Sequence, residues 1–394
     1  MESSKPIYVF DGIVHPDRKA VFREDAPPKS MVKEGRKEAI RACTKCGKAD
    51  ENGVKKCAKC GLTFYCSEEC QREHWPIHKP NCSSEYGNGI QSLIKSVTGN
   101  PMISHYIQVC LSLKFGFHHL RSMSPSKRET VLRAPLSVHI DVGIEPTKIG
   151  DFMALYTYPE EWDKDELEGM LQFHHLSGPK DWVPERRLTD SEIAMWRQAR
   201  QSADEDGEKN YPVVMVQFVN NFKQRITCTF TVDDEAMGQA RRGIPFTVGS
   251  AITGKLTDKP LTIPNCFEYL NTHIRADKKN QLLLRAPMRL CDKELIRDAG
   301  RNAPGHAAQM LLLKMKHEGV YVSYSSEFVA EAAAARAAGA EARNNARANA
   351  EAQEGEDEVE VGAGQAPEPP KPPMNRAERR RLEREMKKEA KRRK

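Results

Sequence analysis

The sequence has few aromatic side chains and no long uninterrupted run of apolar residues. Phe, Trp and Tyr make up 7% of its 394 residues. No stretch reaches the roughly 18 to 20 apolar residues that a membrane-spanning helix needs. Residues 1–17 also lack the basic and then apolar pattern of a signal peptide. These absences argue against a membrane span and against secretion, so we predict a soluble intracellular protein whose thiols stay reduced.

Charge is unevenly distributed along the chain. The formal net charge is +6, but residues 375–394 hold 11 Lys or Arg and 4 Asp or Glu, a local charge of +7. The other residues therefore sum to −1. The basic character belongs to the C-terminal segment and says little about the rest of the protein.

Composition divides the chain into four segments and a short linker. Residues 1–42 are polar and are predicted to be a flexible lead, with one strand at Ile7–Phe10. Residues 43–82 hold seven of the eleven cysteines, and residues 83–88 read as a linker. Residues 90–328 show the mixed periodicity of an α+β domain whose fold we do not recognise. Residues 330–394 are Ala-rich, then acidic, Pro-rich and basic, too poor in apolar residues to form a core, and are predicted to be a disordered or transiently helical charged tail.

Within the α+β domain, several elements are predicted from apolar periodicity and capping signals. The capping pair Thr189 and Glu192 predicts the start of a helix, and a helix is expected between Pro304 and Gly319. The remaining predictions are a helix at Met102–Leu120, strands at Val138–Ile144, Phe152–Tyr158 and Val320–Tyr324, and a hairpin of Val213–Val219 with Ile226–Val232.

Eight metal-ligand candidates come as four closely spaced pairs: Cys43/Cys46, Cys57/Cys60, Cys66/Cys70 and His78/Cys82. The first two pairs are Cys-x-x-Cys knuckles, whose thiolates can converge on one ion, and each of the other two pairs is four residues apart, as on one face of a helical turn. Seven Cys and one His complete two tetrahedral zinc shells with no ligand left over. Closed shells have no open position for water, so the sites are predicted to be structural.

A disulfide framework is the alternative interpretation of these cysteines. The odd number of cysteines, the absence of a signal peptide and the His in the eighth position all argue against it. Large apolar residues are too few here for a core, so zinc binding is expected to drive folding, at roughly 10–16 kcal/mol per site. Spacing alone leaves open whether the four pairs are shared sequentially or interleaved between the two ions.

The pattern of spacings resembles the MYND zinc finger. Tyr65 before Cys66, Gln71 after Cys70, and Trp75 three residues before His78 match that family beyond its ligands. The resemblance implies interleaved shells, one of Cys43, Cys46, Cys66 and Cys70 and the other of Cys57, Cys60, His78 and Cys82. The order of a finger, a mixed domain and a charged tail also resembles that of fungal MYND proteins.

Members of the MYND family commonly bind other proteins through proline-containing peptides, which implies a peptide-binding role for Gln71 and Trp75. An exposed Trp face suits a preformed proline helix. The alternative is that Trp75 only packs under the zinc knuckle. His74 is expected to lie outside the two complete shells.

Some proteins with this finger are lysine methyltransferases that carry a SET domain. Residues 83–328 lack the Asn-His-Ser-Cys turn of that domain, and no phosphate loop, nucleophile elbow or His-Glu-x-x-His motif appears, so no enzyme activity is predicted. The pairs His118-His119 and His174-His175 are interpreted as surface or capping residues. Four further cysteines are interpreted as buried small side chains: Cys110, Cys228, Cys266 and Cys291.

The prediction is therefore a zinc-binding adaptor that recruits partner proteins, with roles in transcriptional regulation or protein turnover as the expected settings. The alternative is a nucleic-acid-binding regulator that uses the basic segment Arg376–Lys394. That segment also resembles an import signal, so the nucleus is favoured over the cytoplasm as its location.

Overall fold

The computed structural model describes residues 22–38, 42–48, 53–61, 63–82, 89–160, 162–178, 188–221, 224–249 and 256–322. All of these residues belong to one compact unit of the chain, Met1–Ala335. The predictions for Ile7–Phe10, for the linker at residues 83–88 and for the tail at residues 330–394 lie outside the described residues. No helix in the described ranges is long and apolar enough to cross a bilayer.

The described chain begins with helical structure where the sequence predicted a flexible lead. Helix α1 (Lys29–Glu38) packs against α3 (Gly89–Thr98), and Arg36 Nη2 donates to Ser92 Oγ at 2.7 Å. The backbones approach so closely that a Cβ on Gly35 would lie 2.6 Å from a carbonyl oxygen just after α3. The prediction was therefore wrong for α1, because the contacts that hold this helix come from residues far away in the sequence.

The cysteine-dense segment contains three short elements. Strand β1 (Lys55–Lys56) pairs antiparallel with β2 (Phe64–Tyr65), and α2 covers Glu68–His78. Ser67 caps α2, because its hydroxyl accepts a hydrogen bond from the Cys70 backbone N–H at 3.3 Å. A 3₁₀ turn at residues 79–81 follows the helix.

The helices of the larger domain begin and end at recognisable signals. Asn100 caps α4 by accepting from the Ile103 N–H, and Gly116, at φ 70°, ends it in the left-handed conformation that favours glycine. The capping box predicted at Thr189 and Glu192 is confirmed at the start of α7. The domain helices after α3 are α4 (Pro101–Phe115), α5 (Pro125–Leu132), α6 (Ile149–Thr157), α7 (Asp190–Glu205), α8 (Asp234–Arg242), α9 (Ile263–Ala276), α10 (Leu290–Gly300), α11 (His306–His317) and α12 (Gly319–Val322).

A mixed five-stranded sheet lies at the centre of the domain, in the order β6–β5–β3–β4–β9. Strand β3 pairs parallel with β5 and antiparallel with β4, and the other neighbours are antiparallel. A separate hairpin joins β7 to β8. The strand bounds are β3 (Leu136–Pro146), β4 (Glu168–Ser177), β5 (Val213–Asn220), β6 (Gln224–Thr231), β7 (Phe246–Gly249), β8 (Leu256–Lys259) and β9 (Arg285–Pro287).

The structure confirms the mixture of helices and strands and most of the individual predictions. The strand at Val138–Ile144 is part of β3, and the predicted hairpin is β5 with β6. Phe152–Tyr158 was wrongly predicted as a strand: α6 covers its first six residues, and the buried Phe152 and Leu155 are spaced for one helical face. The strand predicted at Val320–Tyr324 was also wrong for the residues that the structure describes, because α12 covers the first three of them.

Buried ionic side chains join the sheet to the C-terminal helices. Glu145 accepts hydrogen bonds from His174 Nε2 at 2.9 Å, from Lys314 Nζ at 2.6 Å and from the Tyr321 hydroxyl. Arg275 Nη2 pairs with Glu318 at 2.6 Å beside them. The interpretation of His174 as a surface residue was wrong. The register of β3 and β4 shifts at this point, and the shifted strand directs His174 inward to Glu145.

Candidate metal centre

Two knuckles with the same backbone turn present the first ligands. The Gly47 N–H donates to the Cys43 carbonyl, and the Gly61 N–H donates to the Cys57 carbonyl, each at 2.8 Å. Both glycines have φ between 65° and 76°, which other residues adopt at a steric cost. A glycine after each Cys-x-x-Cys pair therefore lets the chain turn back so that both thiols face the same point.

The β1–β2 pairing and α2 then bring the remaining ligands to these knuckles. The Cys57 N–H donates to the Thr63 carbonyl, and the Thr44 N–H donates to the Phe64 carbonyl, both at 2.8 Å. Cys70 lies in the first turn of α2, and His78 is its last residue. One helix thus supplies a ligand to each of two separate sites.

The eight predicted ligands form two groups, each with all four ligand atoms within 4.8 Å of one another. The first group is Cys43, Cys46, Cys66 and Cys70, and the second is Cys57, Cys60, His78 and Cys82. The arrangement is interleaved, as the resemblance implied, and sequential sharing is excluded. His74 belongs to neither group: its Nδ1 lies 2.9 Å from the hydroxyl of the buried Tyr65.

The separations between ligand atoms fit tetrahedral zinc. With Zn–S distances of about 2.3 Å, tetrahedral geometry places two sulfurs about 3.8 Å apart, and a His nitrogen about 3.5 Å from a sulfur. In the first group, Cys66 Sγ lies 3.7 Å from Cys46 Sγ and 3.6 Å from Cys70 Sγ. In the second group, Cys57 and Cys82 are 3.8 Å apart, and the Cys60 sulfur is 3.5 Å from His78 Nε2. The chain therefore has two zinc sites, both closed by protein ligands.

The thiols of the two sites differ widely in pKa when no cation is near. Burial alone would raise the pKa of Cys43, but backbone N–H groups of Cys46 and Cys66 donate to its sulfur and lower that pKa to about 7. The hydrogen bond with Cys70, together with burial, raises the pKa of Cys66 to about 12. Burial and the neighbouring cysteines raise the pKa of Cys82 to about 11. A bound divalent cation stabilises the negatively charged thiolates and so lowers these raised pKa values. Zinc binding must therefore release protons.

Thr63 supports the second site and was missed in the sequence analysis. Its Oγ1 lies 3.3 Å from His78 Nδ1 and 3.5 Å from the Cys60 sulfur. The same Oγ1 lies 3.4 Å from His78 Nε2, so the hydroxyl contacts the imidazole ring near both nitrogens and limits the orientation in which the ring holds the ion. No spacing rule marks this residue, because a single Thr between two ligand pairs is unremarkable in a sequence.

The outer face of α2 carries the predicted peptide-binding residues. Gln71 and Trp75 line a shallow depression of about 380 Å³ together with Glu68 and Arg72. Trp75 is 37% exposed, and its ring and the His78 ring pack in a T-shaped arrangement with their centroids 5.8 Å apart. Trp75 therefore both packs beside a zinc ligand and leaves part of its ring open to solvent.

Comparisons with known proteins separate the chain into two parts. A family model described as MYND finger matches residues 43–82, and a family model described as domain of unknown function (DUF8205) matches residues 88–321, more than half of the chain. No solved structure matches.

Two of the curated relatives that match illustrate how short the similar stretch is. N-lysine methyltransferase SMYD2 of Rattus norvegicus is 51% identical over 39 residues, which are 10% of this chain and 9% of that protein. N-lysine methyltransferase SMYD2-A of Danio rerio is 32% identical over 91 residues, which are 23% of this chain and 19% of that protein. The chain thus spans less than a fifth of the length of these relatives, and no SET domain is shown.

Proposed function

The chain belongs to the DUF8205 family, and we propose that it is a zinc-dependent adaptor that recruits partner proteins by binding proline-containing peptides on α2 of its finger. The observation that supports this proposal is the partly exposed Trp75 ring in a depression on a helix held at both ends by zinc ligands. Proline-rich peptides are pre-extended and bind aromatic-lined grooves at low entropic cost. Two closed zinc shells on either side keep this groove preformed.

The finger carries no chemistry of its own under this proposal. Both shells are complete with protein ligands, so neither has an open position at which a zinc ion could activate water. The methyltransferase activity in the names of the relatives belongs to proteins that are similar to this chain mainly over the finger. We therefore propose a binding role rather than an enzymatic one. A setting in transcriptional regulation or protein turnover, and a nuclear location, stay predictions.

Nucleic-acid binding through Arg376–Lys394 is the alternative function. That segment lies outside the described residues, so the argument for it rests on its charge. Binding of this kind would weaken steeply with rising salt concentration, because counterions are released from the nucleic acid. Deletion of residues 375–394 would then abolish binding to duplex DNA or RNA, whereas peptide binding would be unaffected.

The proposal is tested with a proline-rich peptide and two variants of the full-length protein. Trp75→Ala is expected to weaken the affinity about 30-fold, because a buried aromatic anchor at an interface contributes about 2 kcal/mol or more. Ile77→Ala is the matched control, since Ile77 is 68% exposed on the same helix but does not line the depression. Equal affinities of the three proteins, each with two zinc ions bound, would refute the proposal.

A further inference from the structure

The groove on α2 carries one negative and one positive side chain beside Trp75. Glu68, Arg72 and Trp75 are spaced i, i+4 and i+7, so they lie along one face of the helix. Glu68 and Arg72 are exposed. Among the described residues, neither makes an ion pair within 4 Å, whereas the nearby Glu73 is paired with Lys45 at 3.4 Å. Arg72 interacts electrostatically with Glu69, three residues earlier, but both Glu68 and Arg72 remain exposed, so a partner at this face meets two solvent-exposed charges of opposite sign.

We propose that the groove selects proline-rich peptides that carry one acidic and one basic residue three positions apart. This inference rests on the proposed function, since it concerns the same groove. The acidic residue of the peptide pairs with Arg72 and the basic residue pairs with Glu68, while a proline contacts the exposed ring of Trp75.

The geometry of the two helices supports this pairing. In a polyproline helix, residues three positions apart share a face and are about 9 Å apart along the axis. Glu68 and Arg72 are about 6 Å apart along α2, at a rise of about 1.5 Å per residue. Long Glu, Lys and Arg side chains cover the difference of about 3 Å. A peptide with two charges of the same sign would place one of them against a like charge.

The sequence itself contains this pattern once, in the proline-rich stretch at residues 367–373, where Glu368 and Lys371 are three positions apart. The pattern is therefore a reasonable probe. The peptides are Pro-Pro-Glu-Pro-Pro-Lys-Pro-Pro and its versions with two Glu, two Lys or two Gln at the charged positions. The protein is the full chain with two zinc ions, with Glu368→Gln and Lys371→Gln in every version so that its own copy of the pattern is neutral.

Calorimetry or fluorescence anisotropy then gives the affinity of each peptide. The mixed peptide is expected to bind about two- to fivefold more tightly than the versions of single sign, which is the range for solvent-exposed ion pairs. The Glu68→Lys variant should instead prefer the di-Glu peptide, and Arg72→Glu should prefer the di-Lys peptide. These preferences should disappear near 1 M NaCl, where the screening length falls to about 3 Å.

Two controls separate the failure of this inference from the failure of the proposed function. If Trp75→Ala loses binding while the charge variants show no preference among the four peptides, the charge selection is refuted and the peptide groove stands. If Trp75→Ala binds every peptide as well as the unsubstituted chain does, both proposals are refuted. Zinc content is measured for each variant, and only proteins with two bound ions are compared.

Discussion

Substitution of Glu145 by Gln should destabilise the large domain strongly. The Glu145 side chain is 3% exposed and accepts hydrogen bonds from His174, Lys314 and Tyr321. Burial alone would raise the pKa of this carboxyl group, but the positive charge of Lys314 and the hydrogen bond from His174 hold it well below its usual range. Gln keeps the size and one acceptor oxygen but replaces the other oxygen with an NH2 donor, so Glu145→Gln removes the charge and one of the two acceptor atoms.

The expected loss follows from what remains around Lys314. After the substitution, its ammonium group stays buried, with Glu318 at 3.8 Å as its nearest carboxylate. Removing one partner of a buried ion pair typically costs about 3–5 kcal/mol, since the other charge is left uncompensated. A domain is commonly stable by about 5–15 kcal/mol, so this single change would remove a large part of the total.

Urea unfolding at pH 7 with saturating zinc measures this free energy. The fluorescence of the buried Trp196, whose indole N–H donates to the Val213 carbonyl at 2.8 Å, reports on the sheet. The double variant Glu145→Gln/Lys314→Met removes both charges and should recover at least half of the loss. The reasoning would be refuted if Glu145→Gln lowered the free energy of unfolding by less than about 1 kcal/mol. It would also be refuted if the double variant lost more unfolding free energy than the two single variants lose together.

The same pair predicts the direction of the pH dependence. Because the pKa of Glu145 is lower in the folded state than in the unfolded chain, its charge stabilises the fold above the ordinary Glu pKa of about 4.3. That stabilisation is lost progressively as the pH falls below this value. The difference in stability between the unsubstituted chain and Glu145→Gln should therefore be constant from pH 6 to pH 7 and shrink below about pH 4.

Three further predictions concern the zinc sites. Thr63→Val should lower zinc affinity about tenfold at the second site, measured by competition with a chromogenic chelator, because the hydroxyl that contacts the His78 ring is lost. An unchanged affinity would show that Thr63 does not support the site. Removal of both ions should expose the amides of residues 42–82 to hydrogen exchange while the central sheet stays protected. Return of zinc should then release protons, as the raised pKa values of Cys66 and Cys82 require.

The zinc sites could be predicted almost completely from the sequence. Four ligand pairs, each within five residues, define which atoms can meet at an ion, and tetrahedral zinc accepts few arrangements. The spacing of the ligands did not decide whether the four pairs bind the two zinc ions sequentially or in an interleaved order. The β1–β2 pairing decides it, since it places Cys66 beside the first knuckle. Thr63 could not be predicted, because its role depends on the distance to His78 in the folded chain.

The domain was harder to predict because its decisive contacts are not local. Phe152 and Tyr156 are strand-forming residues by composition, yet the segment is helical and packs on α10. The inward position of His174 depends on a register shift between two strands, which no local pattern marks. Elements with their own capping or hairpin signals, such as α7 and the β5–β6 pair, were predicted correctly.

The position of the finger within the fold follows from contacts on both sides of it. The chain enters the finger after α1 and leaves it before α3, and these two helices pack against each other, so the ends of the finger are held together. A Cβ on Gly47 would lie 2.7 Å from the Ser191 carbonyl oxygen and 2.9 Å from Ala194 Cβ, so the first knuckle also touches the start of α7. A finger tied at its base and touching a domain helix has less freedom than one on a linker. A peptide bound on α2, as we propose, would therefore be held at a defined place beside the DUF8205 domain.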